Sequence, residues 1–309
     1  MGDLVAKSGC PLCAGQSSTL IEELSVGEIV LLYQRLVPSY NLDGAFRSAK
    51  IALVSCNQCR LGYFTPAAVA PEHFYEELST LPWYYRGEKP EFEFAQKFIE
   101  PGNSVLDVGC GSAAFAQYVD RARYVGIEHN PGAVRCAREN GLEVEHSCLE
   151  EFSGLGHSEF DVVCAFQVLE HVLLPGEFID QLMRWVRSEG TIIVSVPAAD
   201  SFISMEVNEP LNLPPHHLTW WFDRTLHQVA EIKGLNLIWV QHEVLSDQFR
   251  DRYSRCLMHE VLLRAAGRER KIVDVSRFGR SVLRLASVLG KLIEPGLRSS
   301  RLSPRGHSI

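Results

Sequence analysis

The chain has 309 residues, 46% of them hydrophobic, and a formal net charge of -8, which predicts one sizeable α/β domain with appendages at both ends. The charge is uneven, since residues 1–240 carry 16 Lys and Arg against 31 Asp and Glu, whereas residues 241–309 carry 14 against 7. The acidic body argues against a nucleic-acid partner, because phosphate contacts need clustered cations. The sequence holds no apolar run of about 18 residues and no signal-peptide core, so a cytoplasmic protein without a transmembrane segment is expected.

Four cysteines in the first sixty residues form two Cys-x-x-Cys pairs. They are Cys10, Cys13, Cys56 and Cys59. Two such pairs can supply four thiolates to one tetrahedral Zn2+ ion, and Gly62 is expected in the tight turn that aims backbone amides at the sulfurs. The 42 residues between the pairs exceed the roughly 15–20 of a compact zinc ribbon, so an inserted helix is expected within residues 24–36. The pattern predicts a structural zinc module over residues 1–68, with two unrelated cysteine pairs, one of them redox-active, as the alternative.

Beyond an aromatic linker and lid helix at residues 69–95, strand and helix patterns alternate strictly. Strands are predicted at residues 104–108, 124–127, 142–146, 160–166 and 191–196, and helices at 92–98, 113–121, 131–139 and 175–187. Such alternation places parallel strands side by side, with helices covering both faces of the sheet. The predicted fold class is therefore α/β, a Rossmann-like, doubly wound and mostly parallel sheet over residues 96–245. A basic helical extension over residues 246–309 follows it.

A glycine turn follows the first of these strands. Gly109 and Gly111 let a ligand approach the backbone at the carboxyl edge of a parallel sheet. The next strand ends at Glu128, about 20 residues after the glycines, where an acid can accept hydrogen bonds from both hydroxyls of a ribose. The pattern indicates a cofactor that contains a ribose.

Successive segments of this region resemble the motifs of class I S-adenosylmethionine-dependent methyltransferases. The matching segments are Val105 to Gly111, Glu128, and Asp161 to Val163 followed by Val168 to His171. The resemblance covers roughly residues 95–240. A nicotinamide-dependent dehydrogenase more often carries Gly-x-Gly-x-x-Gly, but Ala114 stands at the last of these positions.

The resemblance implies S-adenosylmethionine as the cofactor and gives roles to individual residues. Gly109 and Gly111 are expected to lie against its methionine part. Asp107 is expected to organise the glycine turn or to meet the amino group, and Glu128 to hold the ribose.

The remaining cofactor contacts are less regular. The family often places an acid after the third strand to meet the adenine amine, but Cys148 and Leu149 stand there, so apolar and backbone contacts to adenine are expected from these two residues. Gln167 is expected to face the sulfonium or the substrate. Tyr84 or Tyr85 is expected to close over the cofactor as part of a lid, with packing against the zinc module as the alternative.

A proline-rich segment that ends in His216 and His217 follows the fifth strand. Neutral imidazole near pH 7 suits the removal of a proton from a hydroxyl acceptor, so both histidines are candidate catalytic residues. The segment resembles the P-P-H-H-L-x-x-W stretch of a bacterial methyltransferase group that typically carries an N-terminal four-cysteine zinc module and is associated with small-molecule or saccharide tailoring. The alternative is that one histidine caps the helix beginning near Asp223 and that Trp220 and Trp221 belong to the core.

An amphipathic basic helix is predicted over residues 272–293, since apolar residues recur there at spacings of three and four. Such a helix suits a peripheral contact with an anionic membrane or a homodimer contact, with packing on its own catalytic domain as the alternative. Residues 299–309 are expected to be disordered.

These observations predict a methyltransferase that transfers a methyl group to a small polar acceptor, such as a sugar or a secondary-metabolite intermediate, with a histidine as general base. A zinc-containing RNA methyltransferase and a non-catalytic scaffold that binds the cofactor are the alternatives. Glu170 and His171 are expected to make hydrogen bonds at a helix entry. The sequence leaves open the acceptor and whether oxygen, nitrogen or carbon is methylated.

Overall fold

The computed structural model of the chain describes residues 9–39, 41–70, 74–79, 81, 84, 89–153, 160–298 and 308. The chain divides into two compact units, which are unit 1, residues 1–69 with 197–309, and unit 2, residues 70–196. This division differs from the predicted one, which assigned residues 197–245 to the cofactor domain. Within the described ranges, no helix is both long enough and apolar enough to cross a membrane.

The secondary structure follows in chain order. The described strands are β1 (Ser18–Ser25), β2 (Lys50–Cys56), β3 (Gly62–Thr65), β4 (Ser104–Val108), β5 (Arg123–Glu128), β6 (Val144–His146), β7 (Phe160–Phe166), β8 (Val186–Ser195) and β9 (Thr219–Trp220). The described α-helices are α1 (Val26–Leu36), α2 (Phe74–Ser79), α3 (Pro90–Ala95), α4 (Pro131–Glu139), α5 (Pro175–Trp185), α6 (Asp223–Lys233), α7 (Asp247–Ala265) and α8 (Arg277–Ile293).

Unit 2 is built on a five-stranded sheet in the order β6-β5-β4-β7-β8. Every pairing in it is parallel, and α4 packs on β5 and β6 while α5 packs on β7 and β8. All five predicted strands are present, which confirms the Rossmann-like, doubly wound α/β fold. The helix predicted at residues 113–121 is only a 3-10 turn, Ala114–Tyr118. Both predicted end residues, Ala113 and Arg121, adopt left-handed φ values of 59° and 58°, which a right-handed helix excludes.

Aromatic side chains from separate elements fill the core of unit 2. Phe92 of α3 lies 5.0 Å from Phe166 of β7 between ring centroids, and Phe115 lies 4.7 Å from Phe166. At the start of α4, Asn130 is the N-cap residue, and its Oδ1 accepts hydrogen bonds from Gly132 N and Ala133 N. These contacts fix the elements that surround the carboxyl edge of the sheet.

Unit 1 contains a four-stranded antiparallel sheet in the order β1-β2-β3-β9. The helix expected within residues 24–36 is present as α1. The fourth strand comes from much later in the chain, with Trp220 paired to Gly62 and Thr219 paired to Tyr63. This pairing is the physical reason why the N-terminal residues share a unit with residues 197–309.

The basic helix predicted near the C-terminus is present as α8, which packs on α7. At Gly290 the two helices approach closely, since a Cβ there would lie 3.0 Å from Arg255 N. The predicted disordered stretch at residues 299–309 lies outside the described residues apart from residue 308.

Candidate functional site

The glycine turn of unit 2 is held by the acid at the end of β5. Gly109 and Gly111 have left-handed φ values of 70° and 57°, which glycine adopts without strain, and a Cβ on Gly109 would come within 2.7 Å of Val168 Cγ2. Gly111 N donates to Glu128 Oε2 at 2.8 Å, and Asn130 N donates to Oε1 at 2.7 Å. Each carboxylate oxygen has a second acceptor position, so Glu128 keeps the capacity to accept from two ribose hydroxyls.

Asp107 lies inside the sheet beside this turn. It is 2% exposed, and its Oδ2 accepts a hydrogen bond from Tyr124 OH at 2.8 Å. Burial raises the pKa of Asp107 to about 7, and it also raises the pKa of Tyr124. The hydrogen bond from Tyr124 ties the end of β4 to β5, and the two roles expected for Asp107, organising the glycine turn or meeting the amino group of the cofactor, stay predictions.

The residues expected near the adenine and the sulfonium lie at the ends of β6 and β7. Leu149 is 4% exposed, and the Cys148 carbonyl accepts from Phe152 N at 3.0 Å, so a backbone contact to adenine would use the amide groups of this turn. Gln167 has a left-handed φ of 59°, and its Nε2 donates to Ser195 Oγ at 2.8 Å. The Gln167 amide is therefore anchored to β8.

Two acids of unit 2 lie outside the predicted set of cofactor residues, the buried Glu170 and the partly buried Glu91. Glu170 is 1% exposed, burial raises its pKa to about 8, and its Oε2 has no hydrogen-bond partner among the described residues. The predicted helix-entry role does not account for this oxygen. Glu91 of α3 lies 3.5 Å from Ser195 Oγ, and burial raises its pKa as well. No sequence motif singles out Glu91, because its partial burial depends on how α3 packs.

Four thiols of unit 1 converge. They belong to Cys10, Cys13, Cys56 and Cys59, whose Sγ atoms lie within 4.8 Å of one another. The distance between Sγ atoms is 3.5 Å for Cys10 and Cys59 and 3.6 Å for Cys13 and Cys56. Sulfurs that bind one zinc ion at about 2.3 Å in a tetrahedron lie roughly 3.8 Å apart, so this donor set fits Zn2+. The two pairs face each other, contrary to the alternative of unrelated pairs.

The turns behind the cysteine pairs have matching backbones. Ala14 and Arg60, which directly follow the second cysteine of each pair, have left-handed φ values of 57° and 67°. The prediction that Gly62 forms this turn is wrong. Gly62 begins β3, where a Cβ would lie 2.9 Å from Trp220 Cβ, so the glycine is needed for the close approach of β9.

The two candidate catalytic histidines lie in unit 1 and are buried. His216 and His217 are 5% and 7% exposed, and their ring centroids are 4.7 Å apart with planes inclined by 21°. His216 Nδ1 lies 2.9 Å from the Leu211 carbonyl oxygen. Because a carbonyl only accepts, Nδ1 carries the proton in this contact, and Nε2 is then the basic nitrogen of the neutral ring.

The helix between the two cysteine pairs supports the histidine turn. The Leu213 carbonyl accepts hydrogen bonds from Tyr33 OH at 2.8 Å and from the backbone amides of His216 and His217 at 3.1 Å each. Tyr33 lies on α1 and is fully buried. Trp220 Nε1 donates to the Asn212 carbonyl at 3.0 Å. The histidine segment is thus bonded directly to the cysteine-bearing part of unit 1.

The structure also shows where the predicted helix cap, the two tryptophans and one of the two lid tyrosines lie. Neither histidine caps α6, since the N-cap residue is Phe222 and Asp223 N donates to Asp200 Oδ2 at 2.7 Å. The prediction that both tryptophans belong to the core is confirmed, since Trp221 is fully buried and Trp220 is 9% exposed. Of the two lid candidates, Tyr84 is half-buried in unit 2, and Tyr85 lies outside the described residues.

The strand order and the glycine turn define a class I methyltransferase fold, and comparison with known proteins agrees. A family model described as a methyltransferase domain matches residues 84–240, half of the chain. The chain therefore belongs to the methyltransferase domain family.

Individual relatives match over shorter stretches. The chain is 34% identical over 112 residues to a ubiquinone biosynthesis O-methyltransferase of Hahella chejuensis. The matched stretch covers 34% of this chain and 43% of that protein. The chain is 30% identical over 110 residues to a ribosomal protein L11 methyltransferase of Thermosipho africanus, and this match covers 33% and 41%. The chain thus spans less than half the length of these two relatives. A solved SAM-dependent methyltransferase from Archaeoglobus fulgidus is 18% identical and covers 77% of this chain and 97% of its own, with a TM-score of 0.48.

Replacing Glu128 tests the ribose contact. Glu128→Ala removes two acceptors and also releases the Gly111 amide, and since charge-assisted hydrogen bonds contribute about 1.5–3 kcal/mol each before solvent competition, cofactor affinity is expected to fall at least about tenfold. Calorimetry with S-adenosylmethionine and S-adenosylhomocysteine measures it. Glu145→Gln, an exposed carboxylate on β6, is the matched control. Unchanged affinity in Glu128→Ala would exclude the contact.

Proposed function

We propose that this protein is an S-adenosylmethionine-dependent methyltransferase that modifies a small polar acceptor such as a sugar or a secondary-metabolite intermediate. The observation that carries the proposal is the Gly109 to Gly111 turn bonded to Glu128 at the carboxyl edge of the parallel sheet. In that arrangement the two glycines would lie against the methionine part of the cofactor and Glu128 would hold its ribose. Gln167 and the turn at Cys148 and Leu149 would complete the site.

A structural zinc ion held by Cys10, Cys13, Cys56 and Cys59 is part of the proposal. The sulfur distances and the paired left-handed turns support it. All nine cysteines of the chain are free, which supports action in a reducing compartment such as the cytoplasm. The ion would supply folding free energy to unit 1 and no chemistry of its own, since all four of its positions are filled by thiolates.

His216 is the proposed general base. S-adenosylmethionine supplies an electrophilic methyl group when bound. His216 Nε2 would accept the proton of an acceptor hydroxyl, while the Leu211 carbonyl holds the other proton on Nδ1. His216 follows the end of β8, Ser195, by about 20 residues, and ligands of open α/β sheets bind outside the carboxyl edge at which β8 ends.

The proposed acceptor class rests on two observations, the printed name of a relative and the charge of the chain. The name of one relative denotes an O-methyltransferase, which suits a hydroxyl acceptor, whereas the other relative is named for a ribosomal protein. Residues 1–240 carry nearly twice as many acidic as basic residues, which disfavours a polyanionic acceptor. A small hydroxylated molecule is the acceptor that fits both observations.

A transfer assay with the full-length protein tests this function. Methyl-labelled S-adenosylmethionine is offered with nucleoside-diphosphate sugars, with catechols, and with total RNA, and label is expected only in the small hydroxylated acceptors. Calorimetry on the same sample should show cofactor binding. Binding without transfer to any acceptor would identify a scaffold, and label in RNA would overturn the acceptor class. With S-adenosylmethionine below saturation, Glu128→Ala should lower transfer to the small hydroxylated acceptors at least about tenfold.

A further inference from the structure

The solvent-facing side of helix α8 carries large apolar side chains in addition to those on its inward side. The exposed residues and their exposed fractions are Phe278 37%, Leu285 47%, Val288 62% and Leu292 74%. The inward side of the helix holds the buried Gly279, Ala286 and Gly290 and the partly buried Val282, Leu283, Leu289 and Ile293. The helix therefore has an apolar side that packs within the chain and a second set of large apolar residues that faces solvent, where its surface stays in contact with water.

The exposed apolar residues form a ridge along one side of the helix, at the start of which the Arg268 guanidinium lies 4.3 Å from the centroid of the Phe278 ring. Phe278, Leu285 and Leu292 repeat every seven residues, which places them on one side of a helix, and Val288 lies between the last two. At 1.5 Å per residue the ridge is about 21 Å long. Such a length of uncovered apolar surface marks an interaction site.

A basic ridge runs directly beside it. Its members are Arg277, Arg280, Arg284 and Lys291, all exposed. Three of them also repeat every seven residues, each one position before an apolar ridge residue. The helix contains no acidic residue. An apolar ridge flanked by cations without compensating acids is complementary to a surface that is apolar inside and anionic at its boundary.

We propose that α8 docks this protein on an anionic lipid membrane, with the apolar ridge inserted among the acyl chains and the basic ridge on the lipid phosphates. A second copy of the chain fits less well, since two such helices would bring eight cations together without an acid between them. A single-stranded nucleic acid also fits less well, because Leu285, Val288 and Leu292 offer no aromatic ring on which a base stacks.

Vesicle sedimentation with the full-length protein tests the proposal. Vesicles of phosphatidylcholine alone and with 30% phosphatidylglycerol are compared at about 0.1 M and 0.5 M salt. The protein is expected to partition at least tenfold more strongly into the anionic vesicles at low salt. Each basic residue near such a surface contributes roughly fivefold, so Arg280→Glu, Arg284→Glu and Lys291→Glu combined should lower partitioning at least about 100-fold.

Leu285→Ser, Val288→Ser and Leu292→Ser combined should also lower partitioning, and this loss should persist across salt concentrations. The control is Trp239→Ala, which removes an aromatic residue of unit 1 outside α8 whose exposed fraction, 62%, equals that of Val288. This variant should leave partitioning unchanged. An unaltered thermal melting profile of unit 1 in each variant shows that the fold around α8 is intact. Equal partitioning into both vesicle types, or wild-type binding by the charge-reversed variant, would overturn the proposal. The proposal would also be overturned if the wild-type protein bound no vesicles and light scattering showed a dimer that the triple serine variant dissociates.

Discussion

Replacing Cys56 by serine is expected to remove zinc from the purified protein and to unfold the sheet of unit 1. Cys56 ends β2 and lies in contact with Cys13, so its loss leaves three thiolates for one ion. Structural zinc sites bind with about 10–16 kcal/mol of apparent free energy, whereas a whole domain is stable by only about 5–15 kcal/mol. Elemental analysis should find about one zinc per wild-type chain and almost none in the variant, and thermal melting should lose the transition of unit 1.

Cys136→Ser is the matched control, because it makes the same chemical change at an exposed cysteine of α4. It should retain both zinc and melting temperature. Chelation of the wild-type protein should reproduce the Cys56→Ser melting profile. Normal zinc content in Cys56→Ser, or a wild-type protein that contains no zinc when freshly purified, would refute the zinc site.

The cofactor sheet could be predicted because its information is local. In β7 the run from Phe160 to Phe166 is almost entirely apolar, which is typical of a parallel strand buried on both faces. Gly109, Gly111 and Glu128 then follow strand ends that parallel topology must bring to one edge. The hydrogen bond from Gly111 N to Glu128 Oε2 shows that the ends of β4 and β5 do lie side by side at that edge.

The segments that together form unit 1 could not be predicted, because their association depends on a strand pairing between distant parts of the chain. β9 is only two residues long and pairs with β3 across more than 150 residues, and no local pattern announces so short a strand. The assignment of Gly62 to the turn failed for the same reason, since its glycine requirement comes from Trp220. In α8, periodicity predicted the helix correctly, but it did not distinguish the apolar residues that pack inward, such as Leu289, from those that stay exposed, such as Leu292.

His216→Ala is expected to lower turnover roughly 100- to 10,000-fold while cofactor affinity stays within about twofold. The proposed role is to take the acceptor proton at Nε2, which the cofactor residues of unit 2 do not share. His217→Ala should cost less, since this ring stacks on His216 without the Nδ1 contact to Leu211. Single-turnover assays with a hydroxylated acceptor across a pH range measure both, and the acidic limb of the wild-type profile should vanish in His216→Ala.

Tyr33→Phe separates positioning from proton transfer. It deletes only the hydroxyl that donates to the Leu213 carbonyl, so turnover should fall by an intermediate factor, roughly 10-fold, while the acidic limb of the pH profile and the zinc content remain. Near-normal turnover in both His216→Ala and His217→Ala on the true acceptor would exclude a histidine base. Methyl transfer would then depend on positioning alone, or on a carbon nucleophile that needs no such base.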